Sequence, residues 1–395
     1  MKHTGTPTAL VLSGGGARAA YQAGVLRAVA KILGRRHPRP FPVICGTSAG
    51  AINAAALATH ADDFRCGVAR LLRWWRRIDV ADVYHADFAT LSRHGMRFLA
   101  AMTGVGTAPP GVAAMLDNAP LATLLARVAD LDRVRAHVDA GALAALAVNA
   151  TSYGSGHAVT FFQGRADCVP WQRMRRRGEA TALSIAHLMA STAIPFIFPP
   201  VRLPDDYYMD GSVRQLTPLS PALHLGARRI LVIAVGQFAG QRPPPSADGP
   251  AYPSFGQVAG HALSSIFLDN LGADLERLAQ MNRLAALVPP GSLGRHGLAL
   301  AHVDALVLAP SQDIGPLALA HEEQLPAGVR TLLRGFGSTR GTGANLLSYL
   351  LFDRAFCRAL IALGHADAMA RADEIAAFLA DDRPAYVPLY RLDAG

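Results

Sequence analysis

The chain has 395 residues, of which 51% are hydrophobic and 17% are charged, and this composition excludes an intrinsically disordered protein. Its net charge of +9 comes almost entirely from arginine, since Lys2 and Lys31 are the only lysines, and it does not by itself indicate nucleic-acid binding. The length allows one large domain with an appendage, or two domains.

Two strand–turn–helix units open the chain. Residues 8–13 form a short apolar run that ends at three consecutive glycines, and apolar residues recur at helical spacing over 18–33. A second apolar strand over 41–45 leads into the turn 46–50, and another helix is predicted over 51–57. This alternation predicts an α/β fold with a mostly parallel sheet.

The remaining elements are predicted from the same periodicities. Further strands are expected over residues 143–149, 159–162, 207–209, 229–235 and 303–308. Helices are expected over residues 63–130, 181–189 and 345–380. Five prolines between Gln241 and Pro253 predict a linker or a long surface loop.

The turn Gly46-Thr47-Ser48-Ala49-Gly50 matches the G-x-S-x-G pattern, with a predicted strand before it and a helix after it. In such an elbow a strained serine faces the helix N-terminus, whose amides carry partial positive charge. Ser48 is therefore a candidate nucleophile. Taken alone, the pattern is equally compatible with an ordinary turn in a glycine-rich chain.

The glycine run Gly14-Gly15-Gly16 occupies the corresponding position one unit earlier, and Arg18 follows it. Consecutive glycines let backbone N–H groups converge on one point, as an oxyanion hole requires. The alternative is a phosphate-binding loop, because Gly14-x-Gly16-x-x-Ala19 fits a dinucleotide fingerprint. The acidic residue expected about 20 positions later is absent, although an NADP-type loop that uses Arg35 or Arg36 stays open.

Four segments resemble, in order, the four signature blocks of patatin-like phospholipases: residues 12–26, 45–50, 190–195 and 210–212. The resemblance implies a three-layer α/β/α sandwich with a mostly parallel central sheet over residues 7–240. A Pro-rich linker over 241–254 and a mostly helical C-terminal region over 255–391 would then follow.

The same resemblance implies a Ser–Asp dyad without histidine. Ser48 would be the nucleophile and Asp210 its base, and an oxyanion loop would consist of Gly14, Gly15, Gly16 and Arg18. Two positions depart from the family pattern: Ala19 stands where the last glycine is usual, and Ser212 follows Asp-Gly where Gly or Ala is usual. The Ser212 hydroxyl would lower the basicity of Asp210.

The resemblance implies a phospholipid or another lipid ester as substrate, with an acyl-enzyme intermediate. We expect no cofactor, no metal and no nucleic-acid partner, while contact with a membrane surface and the oligomeric state stay open. The competing enzyme class is an α/β-hydrolase with a Ser–Asp–His triad, for which His302, His321 and His365 are the candidates. A nucleotide-binding module and a catalytically silent scaffold are the remaining alternatives.

Three weaker features have two interpretations each. The segment Arg73–Arg77 mixes indoles with cations, but its tryptophans share a helical face with apolar residues, which favours core packing over membrane docking. The basic segment Arg173–Arg177 favours a solvated loop over a contact with lipid phosphates. Phe196 and Phe198 could line an acyl pocket or belong to a rigid turn.

Cysteine usage and hydropathy bear on the compartment. The four cysteines are scattered and form no C-x-x-C pair, which favours a reducing compartment. The N-terminal residues lack the apolar stretch of a signal peptide, and we see no apolar run long enough for a membrane span. We therefore expect a cytoplasmic protein, with a peripheral membrane location left open.

Overall fold

A computed structural model describes residues 7–35, 37–87, 90, 95–96, 114–237, 255–287, 302–335 and 344–380. Its strands are β1 Thr8–Leu12, β2 Val43–Thr47, β3 Ala145–Ser152, β4 Ala158–Gly164, β5 Trp171–Arg173, β6 Arg176–Ala180, β7 Val201–Arg202, β8 Tyr207–Asp210, β9 Arg229–Ile233 and β10 Asp304–Leu308.

The described α-helices fall into three groups along the chain. The first group is α1 Ala20–Leu33, α2 Ala49–Ala58, α3 Phe64–Trp75, α4 Val80–Val83, α5 Ala119–Val128 and α6 Leu131–Asp139. The second is α7 Ile185–Ser191, α8 Ser220–His224 and α9 Phe255–Leu287. The third is α10 Ile314–Leu319, α11 Ala327–Gly335, α12 Ala344–Leu350, α13 Arg354–Ala370 and α14 Ala372–Leu379.

One mixed sheet organises these elements, in the order β10-β9-β1-β2-β3-β4-β6-β5. The strands from β10 to β3 are mutually parallel, β4 is antiparallel to β3, and β8 pairs antiparallel with the end of β3. Because β1 and β2 are parallel neighbours, the turns that follow them lie side by side at one edge of the sheet. This edge holds the candidate site.

Alternating residues of the central strands face two separate cores. In β1, Leu10 and Leu12 belong to the core that contains α1, α2 and α13, whereas Ala9 and Val11 belong to the core on the opposite face, with α8 and part of α9. Buried strands that are apolar on both faces are typical of a sheet covered by helices on both sides. The predicted three-layer α/β/α sandwich with a mostly parallel sheet is confirmed.

Local differences from the sequence-based boundaries have local causes. The helix predicted from residue 18 begins at Ala20, because Gly16–Ala19 forms a 3₁₀ turn. The helix predicted over 181–189 spans Ile185–Ser191, because Ser184 caps it together with His187. The basic segment around Arg175 was predicted as a loop but forms the β5–β6 hairpin, in which Arg175 has φ 57°.

The chain after the Pro-rich segment packs directly onto the first half. Strand β10 extends the sheet beside β9, and α13 crosses α1 at two glycines. A Cβ on Gly24 would lie 2.2 Å from the carbonyl oxygen of Ile361, and one on Gly364 would lie 2.2 Å from that of Tyr21. Only glycines allow the two backbones to approach this closely.

Two further expectations concern the Pro-rich linker and the absence of a membrane-spanning helix. The proline cluster between Gln241 and Pro253 lies outside the described residues. In the part that is described, none of the helices has both the length and the apolar composition that a bilayer span requires.

Candidate active site

Ser48 lies in a sharp turn between β2 and α2, with φ 54° and ψ −130°, and only 2% of it is exposed. Positive φ is costly for a residue with a side chain and is characteristic of strained functional turns. The flanking glycines are required by space: a Cβ on Gly46 would lie 2.4 Å from the Gly50 carbonyl oxygen, and one on Gly50 would lie 2.4 Å from that of Leu12. The turn therefore has the geometry of a nucleophile elbow.

Asp210 ends β8, where the strand pairs with β3, and only 1% of it is exposed. Its backbone N–H donates to the carbonyl of Ala193 at 2.8 Å, and its Oδ1 accepts a hydrogen bond from the Ser212 N–H at 2.9 Å. A Cβ on the following Gly211 would lie 2.2 Å from the carbonyl oxygen of Asn149. Tight packing thus fixes the direction of the carboxyl.

Burial raises the pKa of Asp210 to about 6, and the hydroxyls of Ser48 and Ser212 together with the Ser212 N–H act in the opposite direction. Oδ2 has no hydrogen-bond partner among the described residues. The Ser48 hydroxyl nevertheless lies close enough to lower the pKa of this carboxyl, so the two side chains are neighbours. The sequence-predicted pair is brought together in one buried site.

A network of buried polar groups supports the elbow. The Ser48 N–H donates to Ser191 Oγ at 2.9 Å, and that hydroxyl donates to the carbonyl of Asn149 at 2.6 Å. The Asn149 amide donates to the carbonyl of Gly46 at 3.1 Å and to Thr47 Oγ1 at 3.0 Å. Sequence reasoning placed Ser191 in the third block but gave it no role, and it missed Asn149 because a lone asparagine at a strand carries no signal.

The glycine loop lies against the C-terminal part of the chain. Gly16 has φ 53°, and a Cβ there would lie 2.2 Å from the carbonyl oxygen of Tyr349. Arg18 is 3% exposed; its Nε donates to Ser348 Oγ at 2.7 Å, and its guanidinium lies 4.3 Å from the centre of the Tyr349 ring. Arg18 thus ties the loop to residues around α12.

A narrow apolar cavity of about 30 Å³ opens beside Ser48. Its walls come from α2, α3, α5 and the segments that follow α7 and α12, and include Ile52, Trp74, Leu121, Leu124, Phe198 and Phe352. Of the two phenylalanines considered above, Phe198 lines the cavity, whereas Phe196 is 68% exposed. The predicted packing of the tryptophan segment is confirmed for Trp75, which is fully buried and donates to Asn53.

The triad candidates make their described contacts elsewhere. His302 pairs with Asp304 at 2.9 Å next to β10, the ring of His321 lies against Phe356, and the backbone of His365 lies against Gly24. The hypothesis of an NADP-type loop depended on Arg35 or Arg36, and Arg36 lies outside the described residues. Within the described ranges, no group of three or more His, Cys, Asp or Glu side chains could hold a metal ion.

The chain is similar in sequence to known proteins. The family model "Patatin-like phospholipase" matches residues 10–223. The cGAMP-activated phospholipase of Pseudomonas aeruginosa (strain BWHPSA011 / Pa011) is 51% identical over 59 residues, which are 14% of this chain and 18% of that protein. The match thus spans less than a fifth of that relative. VipD from Legionella pneumophila aligns with a TM-score of 0.38 and 13% identity, over 93% of this chain and 67% of VipD.

Proposed function

The chain belongs to the patatin-like phospholipase family, and we propose that it is a serine lipid acyl hydrolase of the phospholipase A or lysophospholipase type. Ser48 is the nucleophile, Asp210 is the general base, and the glycine loop stabilises the oxyanion. The observation that carries this proposal is the buried Asp210 carboxyl, whose Oδ2 has no partner among the described residues and which lies beside a strained serine.

Acylation begins when Ser48 Oγ attacks the ester carbonyl carbon and passes its proton to Asp210. The resulting tetrahedral oxyanion collapses, and the bond between the carbonyl carbon and the alcohol oxygen breaks. Asp210 returns the proton to the departing alkoxide, which leaves as the alcohol. An acyl-Ser48 ester remains, as in other two-step acyl transfers.

Deacylation repeats these transfers with water. Asp210 takes a proton from a water molecule as its oxygen attacks the acyl carbonyl carbon. The second tetrahedral species collapses, the bond to Ser48 Oγ breaks, and the proton returns to Ser48. The fatty acid leaves, and both residues regain their starting state.

The raised pKa of Asp210, about 6, suits its role as a general base. A carboxylate with an ordinary pKa near 4 is a weak base, and its basicity increases as burial raises its pKa. At neutral pH the group is still mostly ionised and ready to accept a proton. A general base is most effective when its pKa lies near the operating pH.

The oxyanion hole is assigned to the backbone amides of Gly14, Gly15 and Gly16. The positive N-terminal end of α2 adds to their field at the same sheet edge. In measured cases one such donor contributes about 3–4 kcal/mol to transition-state stabilisation. Arg18 is assigned a positioning role, because its guanidinium is engaged with Ser348 and Tyr349.

A lipid substrate is favoured by the apolar cavity, whose lining is almost entirely hydrophobic. Its volume of about 30 Å³ leaves no room for an acyl chain, so such a chain enters only after the walls move apart. Because lipid esters reside in membranes and micelles, we propose peripheral contact with such surfaces. The cysteines Cys45, Cys66, Cys168 and Cys357 are free, which suits a reducing cytoplasm.

Labelling with a fluorophosphonate, followed by peptide mapping, tests the proposal. We expect one adduct, on Ser48, in the wild type, none in Ser48→Ala, and labelling slowed about 100-fold or more in Asp210→Asn. Lipid vesicles are added in a parallel reaction, since the cavity must widen. An adduct at another residue, or undiminished labelling of folded Asp210→Asn, would contradict the dyad.

A further inference from the structure

A second cleft, which we call the arginine cleft, lies between α3, α5 and α6 and has a volume of about 450 Å³. Five arginines line it, together with the aspartates Asp82 and Asp130: Arg70, Arg73, Arg77, Arg127 and Arg133. The proposed reaction uses none of these residues. The cleft therefore calls for a separate explanation.

Its positive charge is only partly compensated within the described part of the chain. Arg133 pairs with Asp62 at 3.8 Å, and no ion pair of the other four arginines is found there. Each aspartate accepts a backbone hydrogen bond at a helix start: Asp82 from the Asp79 N–H, and Asp130 from the Arg133 N–H. These carboxylates keep their negative charge, so the five arginines and two aspartates of the lining leave a formal net charge of +3 (5 − 2) at the cleft.

His60, which also lines the arginine cleft, responds to this charge. Its pKa is lowered, first by burial and then by the positive charges of Arg70 and Arg133, against the opposing effect of Asp62. A neutral histidine is thereby favoured in the wall, and it can donate or accept one hydrogen bond at each ring nitrogen. The surroundings favour an anion over a cation.

Two of the helices that line the arginine cleft, α3 and α5, also line the apolar cavity beside Ser48. Trp74, Ile78 and Leu124 belong to both. Along α2, Ser48 borders the apolar cavity, and Ala56 borders the arginine cleft. At a rise of 1.5 Å per residue these positions are about 12 Å apart. The cleft is thus a neighbouring site, separated from the reacting ester by the apolar cavity.

We propose that the arginine cleft binds a phosphate group. Arginine is the preferred partner of phosphate, because its planar fork donates two parallel hydrogen bonds to two oxygens. Arg70 and Arg73 are three residues apart on one face of α3, and Arg77, just after the end of that helix, and Arg127 of α5 line the same cleft. The phosphate comes either from a soluble compound or from the headgroup of an anionic lipid.

The two sources are separated by two binding measurements without hydrolysis. Calorimetry with inorganic pyrophosphate at about 0.15 M salt, where long-range attraction is screened, tests the soluble source. Sedimentation with vesicles of ether-linked phosphatidylglycerol, against ether-linked phosphatidylcholine, tests the headgroup. Ether lipids have no acyl ester, so neither measurement depends on Ser48 or on the proposed activity.

The test variant is Arg70→Gln/Arg127→Gln, and the matched control is Arg27→Gln/Arg283→Gln, which removes the same charge from exposed positions outside the cleft. We expect the test variant to weaken one of the two interactions by about tenfold or more and the control to change it less than twofold. Loss of pyrophosphate binding identifies a soluble ligand, and loss of vesicle binding identifies the headgroup. Equal effects of both variants, or no binding in either measurement, would overturn the proposal.

Discussion

The hydroxyl of Ser191 accepts a hydrogen bond from the backbone N–H of Ser48 at 2.9 Å. It also donates to the carbonyl of Asn149 at 2.6 Å, so one side chain joins the end of α7 to the elbow and to β3. Both serines are buried, with 0% of Ser191 and 2% of Ser48 exposed. Water therefore cannot replace this hydroxyl, and the elbow depends on it.

Replacing this hydroxyl in Ser191→Ala should lower both stability and activity. A buried N–H left without a partner costs about 1–3 kcal/mol, and a looser elbow misplaces the Ser48 hydroxyl. We expect the rate of fluorophosphonate labelling to fall about tenfold or more, since small displacements of reacting groups are costly. Urea unfolding and labelling kinetics measure the two effects.

The matched control for Ser191→Ala is Thr331→Ala, which removes an exposed hydroxyl that donates to the carbonyl of Ala327 in its own helix. This variant should leave labelling unchanged. Labelling of Ser191→Ala at the wild-type rate would show that the hydroxyl does not position the nucleophile.

Labelling of the wild type should depend on pH through Asp210, whose pKa is about 6. Only the ionised carboxylate accepts the Ser48 proton, so the rate should fall as the pH drops through this value and reach a plateau above it. Asp210→Asn should show a low rate without this acidic limb. A wild-type rate that is flat between pH 5 and pH 8 (roughly 1 unit below and 2 above this pKa) would argue against Asp210 as the base.

Ser212→Ala should move the acidic limb of the labelling rate's pH profile toward higher pH. The Ser212 hydroxyl has no hydrogen-bond partner among the described residues, but as a neighbour of the carboxyl it lowers the pKa of Asp210, less strongly than burial raises it. Removing the hydroxyl leaves burial less opposed, so the carboxyl ionises at a higher pH. The backbone N–H of residue 212 still donates to Oδ1, so the carboxyl keeps its direction. An unchanged midpoint would show that the Ser212 hydroxyl does not lower the pKa of Asp210.

Asp210→Asn should stabilise the protein at pH 8 relative to the wild type, and should do so less or not at all near pH 4. Burial raises the pKa of Asp210 from 3.8 to about 6, so wild-type stability falls as the pH rises through this interval. The difference corresponds to about 3 kcal/mol. Asparagine is neutral throughout, and the comparison cancels the other titrating groups. Urea unfolding of both proteins at the two pH values measures the difference, and a constant difference would contradict it.

Much of this site was predictable from the sequence, because elbows leave local signals. The strand, the glycines and the helix around Ser48 are contiguous in the chain, and the structure places them within about two residues of their predicted positions. The pairing of Ser48 with Asp210 could be predicted only from the family resemblance, since they are 162 positions apart in the sequence. No periodicity relates positions so far apart.

The contacts of the C-terminal region with the glycine loop and with α1 could not be predicted from the sequence. Arg18 looked like a positive group near the oxyanion loop, but its contacts are Ser348 and Tyr349, more than 300 residues later. Helices α12 and α13 are ordinary apolar segments by composition, and nothing local says which surface they cover. The glycine pair Gly24 and Gly364 that sets the α1–α13 crossing is visible only in three dimensions.

The contact between Gly16 and α12 gives a prediction with an internal control. Gly16 and Gly34 both have positive φ, 53° and 62°, so alanine is strained at either position. A Cβ on Gly34 meets nothing within 4 Å, whereas one on Gly16 would lie 2.2 Å from the carbonyl oxygen of Tyr349. Gly34→Ala should therefore cost only the strain of its backbone, which has ψ −146°, about 1–3 kcal/mol.

Gly16→Ala should cost clearly more than Gly34→Ala, because the loop and the residues around Tyr349 must also move apart. The displaced loop would no longer aim its amides at the reacting carbonyl, so labelling of Ser48 should fall with it. Thermal unfolding and labelling of the two variants measure both effects. Equal losses of stability in the two variants would mean that Tyr349 moves away from the added Cβ without a loss of folding free energy. The C-terminal region would then not hold the oxyanion loop in place.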